Sequence, residues 1–165
     1  MGLTTRAELR EHLQRARDRN RPGRTAAERV IDFVDGRSDS PGESRSRVAI
    51  DRGGLPKPEL QAAVHDDAGE FVARVDFLFA SLGVVGEFDG MVKYQKELRG
   101  SLSPEEVVIA EKLREDKLRA LGWVVVRWTW ADLDDSERLI ARILAAARAA
   151  RGVDLRGSWR ARSHP

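Results

Sequence analysis

Cysteine is absent from the 165 residues, which removes disulfides, thiolate metal sites and a cysteine nucleophile together. Any metal ion must be held by oxygen or by one of three histidines. Long apolar runs are missing as well. No uninterrupted hydrophobic stretch approaches the ~20 residues of a membrane span, and the start Met-Gly-Leu-Thr-Thr-Arg has no apolar segment after its first charges. The expectation is a soluble, cytoplasmic protein. Neither sign of charge dominates, with 29 Lys and Arg against 27 Asp and Glu, so net charge alone does not argue for a nucleic-acid partner. Its distribution says more: arginines crowd residues 6 to 29 and return between Arg142 and Arg162. Such basic ends suit phosphate contacts or plain solvated helix faces.

What is present is 41% hydrophobic residues, enough for one domain with a real core. The pattern predicts a charged helix over 5–20 with Leu9, Leu13 and Ala16 on a narrow stripe, and a second over 25–34 ending at Asp35-Gly36. Ser40, Pro41 and Glu43 mark a third helix start, as N-cap, first helical residue and reciprocal half of a capping box. Three strand-like runs follow: Leu60 to His65, Glu70 to Phe79 after a turn at Asp66-Asp67-Ala68-Gly69, and Val84 to Asp89. Residues 91–103 read as a charged loop containing Lys93. A capped helix from Ser103 to Gly122, a strand from Trp123 to Trp130 and a last helix after Asp134-Asp135-Ser136 complete the order.

Consecutive strands with short links pair antiparallel, and a strand reached through a helix joins in parallel. The predicted fold is therefore α/β, a mixed four-stranded sheet flanked by helices with an α-β-β-β-α-β core. Residues 1–37 read as a basic helical extension, 38–151 as the α/β domain and 152–165 as a basic tail.

Strand alternation puts Asp76 on the face of Arg74, and Glu87 with Asp89 on one face of the next strand. Carboxylates brought together in a poorly solvated site repel one another, and a divalent cation with a lysine relieves this. An aspartate and a Glu-x-Asp on neighbouring strands supply the oxygen ligands magnesium takes, and a lysine such as Lys93 would stabilise charge as a phosphodiester bond breaks. On the helix before Gly122, Arg114 and Glu111 project onto the apolar stripe. They either snorkel to its rim or point into a polar site on the sheet. Asp76, Glu87 and Asp89 could instead be held in an ion-pair network by Arg74, Arg114 and Lys93. The tryptophans Trp123, Trp128, Trp130 and Trp159 read as core residues or as a base-stacking platform.

The element order, with Ser40-Pro41-Gly42-Glu43-Ser44, Arg74-Val75-Asp76-Phe77, Gly86-Glu87-Phe88-Asp89-Gly90 and Glu111-Lys112-Leu113-Arg114-Glu115-Asp116 before Leu121-Gly122-Trp123, resembles the PD-(D/E)XK nuclease superfamily. More narrowly, residues 38–133 are similar to a domain group allied to very-short-patch-repair endonucleases. The resemblance implies a restriction-endonuclease-like fold, Mg2+ or Mn2+ as cofactor, DNA as partner, Asp76 and Glu87 as metal ligands, and Glu43 as a helper acid. Asp89 stands where the superfamily signature has its lysine. Either Lys93 reaches in from the following loop or Asp89 is a third ligand, and in both versions Arg114 anchors a carboxylate or the scissile phosphate. The same fold also serves as a DNA-binding regulator or AbiEi-type antitoxin, and a homodimer is compatible with either use.

Overall fold

The computed structural model describes residues 4–15, 22–90 and 103–162. They fall into two compact units, Met1–Gly36 and Arg37–Pro165. The first contains α1 (Arg6–Arg15) and α2 (Arg24–Phe33). A reciprocal cap opens α1, with the Glu8 amide donating to Thr5 Oγ1 and the Thr5 amide to the Glu8 carboxylate. No residue of α1 is buried and α2 buries only Ile31. An Arg10–Asp32 ion pair at 2.7 Å joins the helices, but both side chains are exposed, so it adds little.

In the second unit α3 (Pro41–Arg52) starts as its sequence predicts: Ser40 is the N-cap, its hydroxyl accepts from the Glu43 amide, and Pro41 follows. Strand β1 (Glu59–His65) pairs antiparallel with β2 (Phe71–Phe79), with Leu60 opposite Phe77 and Ala62 opposite Val75. Their turn is closed by Asp66, whose Oδ1 accepts from the Ala68 and Glu70 amides, an Asx turn. A 3-10 turn (Ala80–Leu82) leads to β3 (Val84–Phe88), antiparallel to β2. Helix α4 (Pro104–Ala120) begins with a full capping box of Ser103 and Glu106, then crosses over to β4 (Val124–Trp128), parallel to β3.

The α/β class and the mixed sheet agree with the sequence reading, and the strand count does not. Ser158–Arg160 forms β5, antiparallel to the outer edge of β1, so the sheet has five strands in the order β4-β3-β2-β1-β5. The physical reason is an edge that would otherwise stay unpaired. Gly157 makes the approach: its φ is 75° and a Cβ there would lie 2.1 Å from the His65 carbonyl oxygen. Asp67 fixes the segment by accepting from the Gly157 amide at 2.8 Å and from Arg156. Strand β4 also ends earlier than the run to Trp130 suggests. Thr129 caps a short α5 (Trp130–Asp134) through Asp132, and α6 (Ser136–Ala149) follows, capped by Asp135.

The core has two halves. Helices α3, α5 and α6 contribute Ile50, Leu133, Leu139 and Ile143 against Phe77, Phe79 and Trp128 of the sheet. Leu118 and Leu121 at the end of α4 close over Leu78 and Val85, with Trp123 beside them. Buried Trp128 is satisfied, its Nε1 donating to Ser46 Oγ at 2.7 Å. Trp123 and Trp128 are thus core residues, whereas Trp130 and Trp159 remain partly exposed. Among the described residues no helix is long and apolar enough to cross a membrane.

Candidate functional site

The β2–β3 ladder stops at Phe77 opposite Gly86. The next residues along each strand are Asp76 and Glu87, so the sheet opens into a fork where these two acids stand. The Phe88 amide, released from the ladder, donates to Asp76 Oδ2 at 2.9 Å. The edge of the fork is thereby tied to the carboxylate.

Glu43 approaches from the first turn of α3. Its Oε1 accepts from Ser40 Oγ at 2.8 Å and its Oε2 from the Asp39 amide at 2.8 Å. The capping role is therefore real, with the reciprocal bond made one residue before the N-cap. Capping does not exhaust the side chain, because the same Oε2 also accepts from Gln61 Nε2 at 3.0 Å. That nitrogen donates in addition to Asp76 Oδ1 at 3.1 Å. Gln61 lies opposite Asp76 between two intact register pairs, is 4% exposed, and has a φ of 52°. A non-glycine residue in that region costs on the order of 1–3 kcal/mol. Its amide joins the two acids.

Burial is the largest influence on Asp76 and raises its pKa to about 6; the negative charges of Glu43 and Glu87 push the same way, against the hydrogen bonds from Phe88 and Gln61. Glu87 is 8% exposed and otherwise held. Its Oε2 accepts from Arg114 Nη2 and from Arg127 Nε, both at 3.0 Å. Arg114 also meets Glu111 at 3.0 Å, and Arg127 lies 3.3 Å from both Glu111 and Glu115. The parallel register puts Arg127 directly beside Glu87, and α4 carries Arg114, Glu111 and Glu115 over that face. Glu87 Oε1 lies 3.0 Å from Arg114 Nη2, an ion pair without hydrogen-bond geometry.

The fold thus brings Glu43 and Glu87 within electrostatic reach of Asp76. Of the two positions open to Glu111 and Arg114, it selects the one facing the sheet. Asp89 follows the end of β3, exposed, with its amide donating to the Trp128 carbonyl at 2.8 Å. Lys93 lies outside the described residues. Sequence reasoning missed Gln61 and the part played by Arg127. Each is the one polar residue in a short hydrophobic run, Leu-Gln-Ala-Ala-Val and Val-Val-Val-Arg-Trp, and that contrast was the available signal.

The donor set is all oxygen, as Mg2+ or Mn2+ requires. Asp76, with Glu43 and Glu87 near enough to act on its charge, offers oxygens of that kind, while both oxygens of Glu87 already lie 3.0 Å from guanidinium nitrogens. Among the described residues, however, no three carboxylate or histidine side chains form a ready-made ion-binding group.

No protein-family model and no solved structure matches the chain. Two curated proteins of Mycobacterium tuberculosis, one from strain CDC 1551 / Oshkosh and one from strain ATCC 25618 / H37Rv, are each 35% identical to it over 139 residues, and both are named only as uncharacterized proteins. The match covers 84% of this chain and 46% of each relative, so the chain spans about half the length of the curated relatives it matches.

Proposed function

We propose that this chain is a metal-dependent endonuclease-like domain of the PD-(D/E)XK type that hydrolyses DNA phosphodiester bonds. The observation that carries the reading is the fork: Glu43, Asp76 and Glu87 come from three elements to one end of the sheet, and one of them ionises reluctantly. Asp76 and Glu87, with Glu43 beside them, are the residues that would hold Mg2+ or Mn2+. The ion's chemistry is polarisation of the phosphoryl oxygen and activation of water. Asp76 and Glu43 are fixed by Gln61 and by backbone amides, so they meet a cation without rearranging. Arg114 keeps a positive charge beside Glu87, where it can also receive a phosphate oxygen. Lys93 is the proposed stabiliser of the leaving oxygen, and Asp89 a third ligand or an orienter of water.

The test is cleavage. Single-stranded, duplex and mismatched DNA are incubated with the full chain in Mg2+ or Mn2+, and with Asp76→Ala and Glu87→Ala. The expected result is metal-dependent nicking that falls at least ~100-fold in each variant, the scale of losing a group that stabilises the transition state. Intact DNA in every combination would overturn the reading.

One observation favours a second use of the same fold. Glu87 is engaged by two arginines at 3.0 Å, as in a structural ion-pair network, and Asp89 occupies the usual lysine position. A catalytically silent domain that binds DNA as a regulator or AbiEi-type antitoxin has no need to free that carboxylate. Salt-dependent DNA binding that persists in both alanine variants without cleavage supports this alternative.

A further inference from the structure

Gln61 is the only non-glycine among the described residues with left-handed backbone. It departs from extended geometry without changing register, since Leu60 and Ala62 on either side keep their partners Phe77 and Val75. The distortion is therefore not an inserted residue that re-aims the whole strand. It affects the one residue whose amide touches both Glu43 and Asp76, at 3.0 and 3.1 Å. The opposite amide orientation would turn its oxygen toward two acceptors, so the donating nitrogen faces the carboxylates.

The chemistry of this clamp differs from that at Glu87. Two guanidinium groups satisfy Glu87 with positive charge, and positive charge competes with a metal ion for the same carboxylate. An amide supplies two N–H donors and no net charge. It can hold two acids together and leave their negative potential for a cation.

Resting on the metal-dependent reading above, we propose that Gln61 is the positioning residue of the site, a neutral clamp that presents Glu43 and Asp76 as one convergent pair to a divalent cation. It acts through the carboxylates.

The experiment measures Mn2+ uptake by the full chain, without DNA, by titration calorimetry and by the electron paramagnetic resonance of unbound Mn2+. Gln61→Met keeps the length of the side chain and removes both donors; its expected effect is a loss of affinity of tenfold or more with an unchanged far-UV spectrum. Gln61→Asn keeps the amide and tolerates left-handed backbone better. Being one methylene shorter, it cannot span both acids, so affinity falls while thermal stability holds or rises. A purely structural glutamine would shift the melting temperature and leave the affinity of the folded protein unchanged. If the methionine variant does not fold, the asparagine variant decides. A folded variant with wild-type Mn2+ affinity overturns the clamp and leaves the metal-dependent reading standing. No uptake by the wild-type chain at millimolar Mn2+ overturns both. Uptake that depends on Gln61, in a protein that cleaves no DNA, keeps the clamp and removes the nuclease.

Discussion

Asp76 is held in a place that favours its neutral form, and the consequence for stability has a definite sign. Its folded-state pKa, about 6, lies above the ordinary 3.8, with burial the first cause and the charges of Glu43 and Glu87 adding to it. The native state therefore keeps this proton at pH values where the unfolded chain has released it, and stability is lost as pH rises from 3.8 to about 6. That displacement is worth roughly 3 kcal/mol at most. Asp76→Asn, which retains an oxygen acceptor for the Phe88 amide, is expected to be more stable than wild type at pH 8 and to lose that advantage near pH 4. Urea unfolding at both pH values checks this, and an equal difference at the two would show that the charge is not what matters. At the same scale, breaking the Glu87 pairs has the opposite sign. Arg127→Met leaves a buried carboxylate with one guanidinium in place of two, and the expected cost is about 1–3 kcal/mol at pH 7; a loss below a few tenths would show that Arg114 alone satisfies it. Asp76 and Glu87 were legible in the sequence because strand alternation assigns faces, and Glu43 because a Ser-Pro-x-Glu start is a cap. Gln61 was not. Its function depends on a left-handed backbone that no residue preference of Leu-Gln-Ala-Ala-Val announces.

Among elements, the closest approach at the site is that of α3 to β3. A Cβ on Gly42 would lie 2.0 Å from Phe88 Cε1, and the ring of Phe88 is already packed edge-on against Trp130, with centroids 5.1 Å apart. The residue after Gly42 is Glu43, and the amide of Phe88 is a donor to Asp76. Helix docking and site geometry are thus one contact. Gly42→Ala is expected to cost about 1–3 kcal/mol through overpacking and to weaken Mn2+ uptake along with stability. Ser40→Ala, which removes the hydroxyl bound to the Glu43 amide and carboxylate, is expected to cost about 1 kcal/mol. Chemical denaturation measures both, and a stable Gly42→Ala protein with wild-type uptake would show that α3 can shift without moving the acids. Capped helices and alternating strands were readable at this scale, because helices of ten or more residues and strands of five to nine carry a period. Helix α5 and strand β5, of five and three residues, carry none. Local caps and a neighbouring edge decide them.

The molecule as a whole divides where its apolar burial divides. Among the described residues, every buried hydrophobic residue apart from Ile31 lies between Ala49 and Ala150, so residues 37–165 are expected to fold without residues 1–36. Within that larger unit the weak boundary is the outer edge of β1, where Ala63, Val64 and His65 pair with Arg160, Trp159 and Ser158. Residues of β5 are themselves exposed, which means that the strand contributes pairing more than core. Removing it would leave the backbone donors and acceptors of β1 available to another chain. Deletion from Arg156 onward is therefore expected to lower the melting temperature by only a few degrees and to produce concentration-dependent oligomers. Gly157→Ala should do the same more mildly, because its Cβ meets the His65 carbonyl oxygen at 2.1 Å and its backbone resists a side chain at a φ of 75°. Light scattering across a concentration series, alongside thermal melts, separates the two effects. If both variants stay at the wild-type mass while only their melting temperatures fall, β5 stabilises the fold but does not guard its edge. If mass rises while the melts barely change, the last strand acts chiefly by occupying an edge that a second chain would take.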